Sequence, residues 1–245
     1  MIAVTWARTF LAQDWRRGPL DHFCTSLIQA RGTITASQFL VWSSLTAGWG
    51  GGRAQQDAGE FLQHILTNAR PQEAHSEWES RDTQPRLEVV DSARGSASLL
   101  LPLPPNSNPS LQDFFIQWSD QPSVRGLRLP PLLLTAVLPR FPAEREGRKD
   151  QVRITLNDFV YVPTFVGPGT DLRHTKHKLR SLVYHLGTSP QTGHYRSSLF
   201  ESSSEEALNS SLYSRAHITG DGTEAERATP ATYSDVECNC YLLFL

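Results

Sequence analysis

The sequence predicts an α+β fold, in which a helical layer packs on an antiparallel β-sheet. Apolar residues recur at helical spacing through residues 1–70, whereas residues 71–245 hold short apolar runs separated by turns rich in glycine and proline. Helices that come first and strands that follow are typical of α+β proteins. We therefore expect a single domain over residues 1–245, helical in 1–70 and β-rich in 71–245.

The composition excludes some classes of partner. The 245 residues are 39% hydrophobic and 20% charged, which is ordinary for a globular protein, and the net charge is −2. A charge so close to zero favours neither nucleic acid nor an acidic membrane. No apolar run approaches the roughly 20 residues that a membrane helix needs. We expect no nucleic-acid partner, no membrane partner and no cofactor.

The cysteines and the first residues indicate a compartment. Cys24, Cys238 and Cys240 are too few for a disulfide framework, and the last two alternate as residues of one strand do. The basic residues of the first segment follow its apolar part, which is unlike a signal peptide. These features predict a reducing compartment, which is the cytoplasm, the nucleus or both.

The clearest helix predicted from the sequence covers residues 54–69, after a flexible break at Trp49–Gly52. Asp57 and Glu60 fall in its opening turn, where acidic side chains suit the helix dipole. Its apolar face is formed by Ala58, Phe61, Leu62, Ile65 and Leu66. An earlier apolar group follows Thr35 and Ser37, either of which could cap a helix; it consists of Phe39, Leu40, Trp42 and Leu45.

The β-rich part is predicted as a series of strands with one short helix between residues 110 and 118. The continuous apolar run over residues 127–141 is typical of a buried central strand. The remaining strands are predicted at 87–90, 98–105, on both sides of Asn157–Asp158, at 177–185, at 212–219 and at 238–245.

The stretch Tyr184–Arg196, which reads YHLGTSPQTGHYR, predicts a hairpin. Gly187 and Gly193 flank its polar loop, and His194 begins the return strand. A histidine held by rigid strands beside a loop suits a general base, whose ring must be aimed at its partner. On this stretch alone, a histidine with no chemical role in an ordinary hairpin is the commoner reading.

Four segments in order resemble the catalytic domain of ubiquitin-specific proteases. They read QQDAGEFL, LRLPPLLLTAVLPRF, YHLGTSPQTGHYRS and CYLLFL, and begin at residues 55, 127, 184 and 240. The resemblance implies a papain-like fold, with a helical thumb against a β palm and the C-terminal tail of ubiquitin in the cleft between them. It also implies that a cysteine thiolate attacks the carbonyl that joins this tail to a lysine.

The resemblance implies roles for particular residues. His194 would take the thiol proton and later protonate the leaving amine. The acidic pair that orients this histidine in the family best matches Gly220–Asp221, so that Asp221 takes the role after a shift of one residue. A plain Asp–Gly turn at Asp221 is about as well supported, and Asp235 is a weaker candidate. The residues expected to bind the ubiquitin tail are Gln56, Asp57, Glu60, Gly193 and Tyr195.

Two motifs of the family have no match in the sequence. The nucleophilic cysteine should precede residue 55, but Cys24 lies on the apolar face of a predicted helix, where a cysteine acts as a small hydrophobic residue. We expect Met1 to fall just after the cysteine motif, so that the chain is either a fragment or a natural form without its nucleophile. The alternative function is an inactive, ubiquitin-binding scaffold. No paired CxxC occurs between residues 70 and 121, so we expect no metal and no zinc-bearing fingers.

Overall fold

The computed structural model describes residues 35–50, 57–71, 74–82, 87–104, 108–120, 122–141, 149–189, 192–200, 216–220, 225–226 and 230–245. The helices in these ranges are α1 (Ala36–Leu45), α2 (Ala58–Ala69), α3 (Leu111–Ser119) and α4 (Pro230–Asn239). The strands are β1 (His75–Asp82), β2 (Glu88–Ser96), β3 (Leu99–Leu100), β4 (Val124–Leu129), β5 (Thr135–Val137), β6 (Phe159–Phe165), β7 (Leu172–Lys178), β8 (Ser181–Ser189), β9 (Thr192–Phe200), β10 (Ala216–Gly220), β11 (Ala225–Glu226) and β12 (Cys240–Phe244).

The strands form two sheets. One has five strands in the order β2-β1-β4-β6-β7, and the other has seven in the order β11-β10-β9-β8-β12-β5-β3. Neighbouring strands are antiparallel except in the pairs β4–β6 and β3–β5. The α+β class predicted from the sequence is confirmed.

The two helices before β1 begin where side chains cap them. Thr35 caps α1 through a reciprocal pair of hydrogen bonds with Gln38. Asp57 caps α2, so that helix begins at Ala58. Its Leu62, Ile65 and Leu66 are buried, as the sequence predicted, whereas two of the apolar residues of α1, Phe39 and Leu40, are exposed.

The prediction of one central strand over residues 127–141 is wrong. Pro130 and Pro131 interrupt the run, because proline removes a ladder donor and restricts the residue before it. The chain leaves the five-stranded sheet after β4 and enters the seven-stranded sheet at β5. Strand β1 was not predicted at all, since HSEWESRD is too polar to read as a strand.

Two further predictions need correction. The terminal strand begins at Cys240, not at residue 238, because α4 extends to Asn239; Cys238 is therefore helical and does not alternate with Cys240 along one strand. Before Asn157 there is only a single bridge between Thr155 and Ser110, while β6 lies after it. The predicted helices within residues 1–34 lie outside the described residues, and no described helix is long and apolar enough to cross a membrane.

The core consists of two clusters that place the hairpin against α2. The first joins α3 to both sheets and includes Phe114, Phe115, Trp118, Leu127 and Leu182. The second joins α2 to β12, where Leu62 and Leu66 share a cluster with Leu242 and Phe244. Because β12 lies beside β8 in the sheet, the start of α2 comes close to the β8–β9 hairpin.

Candidate functional site

The β8–β9 hairpin places two histidines on opposite faces of the sheet. His194 pairs with Leu186 and its side chain is exposed, whereas His185 pairs with Tyr195 and is fully buried. Side chains alternate along a strand, so His185 and Tyr195 share one face and His194 lies on the other. The predicted hairpin is confirmed, although β9 begins at Thr192, before the histidine.

The two glycines of the hairpin leave room for the ring of His185. Gly187 and Gly193 have φ angles of +155° and +139°, which side chains rarely adopt. A Cβ at Gly193 would lie 2.2 Å from the carbonyl oxygen of Leu186 and 2.7 Å from Nε2 of His185. A Cβ at Gly187 would lie 2.4 Å from the carbonyl oxygen of Thr192. At both positions the backbone therefore approaches the ring of His185 or the facing strand too closely for a side chain.

His185 is the centre of an aromatic cluster beneath the hairpin. Its ring centroid lies 4.7 Å from that of Tyr195 and 5.3 Å from that of Phe141. Burial, with a further contribution from Lys149, lowers the pKa of His185 from 6.5 to about 4, so the ring is neutral at neutral pH. Sequence reasoning treated His185 as an ordinary strand residue, and only its place two residues before Gly187 could have singled it out.

Asp57 joins the start of α2 to two strands of the seven-stranded sheet. Its Oδ1 accepts hydrogen bonds from the backbone N–H groups of Gly59 and Glu60, at 2.8 and 2.9 Å. Its Oδ2 accepts from the hydroxyl of Tyr241 at 2.7 Å and from that of Tyr195 at 3.4 Å. Burial first, and then Asp57 itself, raise the pKa of both tyrosines, so their hydroxyls stay protonated and donate.

An open cleft of about 810 Å³ begins at this carboxylate. Asp57, Glu60 and Gln63 of α2 line one side of it. The other side comes from the seven-stranded sheet and the segment after β5, and its residues are Leu100, Val137, Pro139, Arg140, Phe141 and Tyr241. The acidic turn of α2 therefore faces a mostly apolar wall, an arrangement that can hold an extended, positively charged chain.

Comparison with known proteins assigns the family. The family model of ubiquitin carboxyl-terminal hydrolase matches residues 29–244. The chain belongs to the ubiquitin carboxyl-terminal hydrolase family. The resemblance to ubiquitin-specific proteases is thereby confirmed at the level of the family. No curated protein matches the chain.

Solved structures share the fold of this hydrolase domain. A chain of the Ubp8–Sgf11–Sgf73–Sus1 SAGA DUB module is 18% identical with a TM-score of 0.59, and the match covers 92% of this chain and 56% of that one. A Ubp8 module bound to monoubiquitin is 17% identical with a TM-score of 0.60, and the match covers 92% of this chain and 57% of that one. A Ubp8 module bound to ubiquitin aldehyde is 17% identical with a TM-score of 0.61, and the match covers 99% of this chain and 63% of that one. The chain thus spans less than two thirds of the length of these relatives.

Some residues predicted for the hydrolase site come together and others cannot be placed. Asp57, Glu60 and Tyr195 lie at the start of α2 or bond to it, with Gly193 and His194 at the start of β9. Gln56 and Asp221 lie outside the described residues. The strand before Asp221 is the neighbour of β9, and its last residue, Gly220, pairs with Ser197. Asp235, the weaker candidate, lies in α4.

Cys240 does not have the environment of a nucleophile. Cys240 is fully buried, and burial raises the pKa of its thiol although Nη2 of Arg140 lies 3.3 Å from Sγ. A nucleophilic cysteine needs the opposite shift and access to its substrate. Cys238 lies in the last turn of α4 and is partly exposed, while Cys24 lies outside the described residues. Within the described ranges no three potential ligands group as a metal site would require.

Proposed function

We propose that this domain binds the C-terminal tail of ubiquitin in the cleft beside α2. We also propose that the complete site hydrolyses the peptide or isopeptide bond at the end of that tail. The observation that carries the proposal is the placement of the acidic turn of α2, Asp57–Glu60, at a cleft and in hydrogen-bond contact with the strand that bears His194. The family match and the ubiquitin bound to the similar Ubp8 modules support the same partner.

The two acidic residues have different parts in this proposal. Both oxygens of Asp57 already accept hydrogen bonds from groups of the domain, so this residue fixes the geometry of the cleft wall. Glu60 is exposed, lines the cleft, and provides the ion pair to a basic residue of the tail. Tyr195 and Gly193 act mainly by shaping the hairpin, and Gln56 is proposed to contact the tail.

The chemistry assigned to the site is acyl transfer to a thiol. His194 accepts the thiol proton, and the thiolate adds to the carbonyl carbon. The C–N bond then breaks, and the amine leaves with the proton that His194 returns. Water hydrolyses the resulting thioester, which restores the thiol. We assign the orientation of the His194 ring to Asp221.

A second candidate function is ubiquitin binding without hydrolysis. The burial of Cys240 favours it, because a thiol with a raised pKa and no access to a substrate is not suited to attack a carbonyl. In that case the cleft retains the tail and the domain competes with active enzymes for ubiquitin. For both functions we propose a cytoplasmic or nuclear location. We also propose that the chain is one domain, with a helical part (1–70) and a β-rich part (71–245).

Binding and hydrolysis can be tested separately on the full chain. Calorimetric titration with ubiquitin should give a measurable affinity, which Glu60→Gln lowers by about 3- to 10-fold through loss of one charge-assisted contact. Glu88→Gln is the matched control, since Glu88 is an exposed glutamate at the start of β2. Ubiquitin without its C-terminal tail should not bind. Equal affinities for Glu60→Gln and the wild type, or for both forms of ubiquitin, would refute the tail-binding proposal.

Hydrolysis is measured with ubiquitin that carries a fluorophore at its C-terminus. Turnover that His194→Ala abolishes would support the enzymatic reading. Turnover that also disappears in Cys24→Ala would identify Cys24 as the nucleophile, against its expected place in a buried helix face. Binding with no turnover in the wild-type chain would select the second candidate.

A further inference from the structure

We propose that Lys149 is a positioning residue that fixes the turn of the β8–β9 hairpin and thereby the direction of His194. The proposal relies on the proposed function only for the chemical role of His194. The contacts of Lys149 themselves are properties of the fold.

Three hydrogen bonds connect Lys149 to its surroundings. Its Nζ donates to the carbonyl oxygen of His185 and to Oδ1 of Asn239. Its backbone N–H donates to the carbonyl oxygen of Thr188 at 3.1 Å. Two of these acceptors, His185 and Thr188, stand on either side of Gly187, where the strand register between β8 and β9 shifts. Lys149 therefore holds both ends of the bulge that turns the hairpin.

The position of Lys149 is costly for a charged side chain. Only 8% of the residue is exposed, and burial together with the nearby Arg140 lowers its pKa from 10.5 to about 8. Its ammonium bonds here to neutral oxygens, which compensate for lost hydration less well than a carboxylate does. A lysine kept in such a place is expected to have a specific structural use, and the hairpin turn is what it contacts.

Hydrogen bonds with Arg140 hold the segment that carries Lys149 in place. The backbone N–H of Asp150 donates to the carbonyl oxygen of Arg140 at 2.7 Å, and Nη1 of Arg140 donates to the carbonyl oxygen of Val152 at 2.6 Å. The guanidinium of Arg140 also bonds to the carbonyl oxygen of Cys240 at 2.8 Å, on β12. Lys149 thus bonds to the turn from a segment fixed to the sheet, so that it can restrain the turn.

Asn239 extends this connection to the end of α4. Its side-chain amide donates to the carbonyl oxygen of Asp235 at 2.8 Å, which directs Oδ1 toward Lys149. The ammonium therefore links the hairpin to the junction of α4 and β12. Loss of the ammonium would free the turn next to Gly187 while leaving the ladder farther along β8 and β9 in place.

The test uses the full chain, and each variant is compared with the wild type by hydrogen exchange. In Lys149→Met the alkyl stem remains and the donors are lost. We expect the amides of residues 186–189 and 192–196 to exchange about tenfold faster or more, as for loss of a hydrogen bond to a charged group. The amides of β1 in the other sheet should not change. Lys149→Arg should restore part of the protection, and Lys176→Met is the matched control, since Lys176 lies exposed on β7.

A second readout follows His194 directly. In a chain with labelled histidine rings, the His194 signal should shift or broaden in Lys149→Met and remain unchanged in Lys176→Met. Hairpin exchange within twofold of the wild type, with an unchanged His194 signal, would overturn the proposal. If Lys149→Met does not fold, Asn239→Ala removes one acceptor of the ammonium, together with the bond to Asp235, and should speed exchange of the same amides. No change there would equally overturn the proposal. These measurements need no ubiquitin, so a failure of ubiquitin binding would refute the proposed function and leave this result standing.

Discussion

The two sheets hold their charged and polar residues in different ways. On the five-stranded sheet, Glu77 forms ion pairs with Arg94 and Arg128 of the neighbouring strands, and these two arginines are 76% and 63% exposed. Beside the seven-stranded sheet, Asp57 and Lys149 bond mostly to neutral groups in buried or half-buried surroundings. Exposed pairs contribute little because water already solvates them, whereas a buried polar group loses hydration that only its partner replaces. Single substitutions of polar residues should therefore lower stability more at the sheet with the candidate site than at the other sheet.

The largest expected effect is acid destabilisation, to which one buried histidine in each sheet contributes. Burial lowers the pKa of His177 on β7 and of His185 on β8 from 6.5 to about 4. Between pH 4 and 6.5 the unfolded chain binds more protons than the folded one, so stability is lost as pH falls through this window. Each histidine contributes up to about 3 kcal/mol. Urea unfolding across pH 4–7 measures the loss.

His177→Phe separates the two contributions. It should remove roughly half of the pH dependence and leave the part that belongs to His185. A pH profile of the free energy of unfolding that is the same in this variant and in the wild type would show that the buried histidine of the five-stranded sheet titrates normally.

Asp57→Ala is expected to be the most damaging of the substitutions that we compare. It removes the cap of α2 and leaves the hydroxyls of Tyr195 and Tyr241 without their acceptor. Together these two losses should lower the free energy of unfolding by about 3 kcal/mol, which urea unfolding measures. Glu60→Ala is the control on the same turn and should change stability by less than about 0.5 kcal/mol. A loss below about 1 kcal/mol for Asp57→Ala would show that the tyrosine contacts do not hold α2 to the sheet.

Arg81→Met tests the exception within the five-stranded sheet. Arg81 is 6% exposed and donates to Glu79 on the same strand at 2.8 Å. It also stacks 3.8 Å from the ring centroid of Phe165 and donates to the carbonyl oxygens of Gly167 and Gly169. Because the methionine keeps most of the apolar stem, we expect a loss of about 2 kcal/mol from the lost cation–π contact and hydrogen bonds. Thermal unfolding measures this as a lower Tm. An unchanged Tm would mean that the β6–β7 turn does not depend on this contact.

The smallest expected effect is that of Arg94→Ala. Its Nε lies 2.7 Å from Oε1 of Glu77, but the side chain is largely in water. We expect less than about 0.5 kcal/mol, and a loss that shrinks further as salt is added. A cost comparable to that of Arg81→Met would contradict the distinction between exposed and buried charges on this sheet.

The sequence predicted those features that depend on neighbouring residues. The hairpin followed from Gly187 and Gly193, and α2 followed from the spacing of its apolar residues and the acidic opening turn. Strand β1 was missed because its polar residues hide the alternation, and the break at Pro130–Pro131 was underestimated within an apolar run. In each case the local sequence pattern does not show which sheet the segment joins.

Contacts between distant residues could not be predicted. Asp57 bonds to Tyr195 and Tyr241, which are 138 and 184 residues away, and Lys149 reaches Asn239 across 90 residues. The resemblance to ubiquitin-specific proteases suggested Asp57 as a contact to ubiquitin, but the internal partners of Asp57 are not visible in the sequence. Placement of Gln56 and Asp221 stays a prediction, and so do the roles proposed for the other site residues.

The close fit of Gly187 and Gly193 around the His185 ring limits how this hairpin can vary. A methyl group at either glycine would overlap a backbone oxygen or the ring, so no single substitution there fits the present backbone. A smaller residue at 185 would relieve only part of the overlap. In a library randomised at positions 185, 187 and 193 and selected for folding, we therefore expect the three residues to be recovered as a set, with the parental trio strongly enriched.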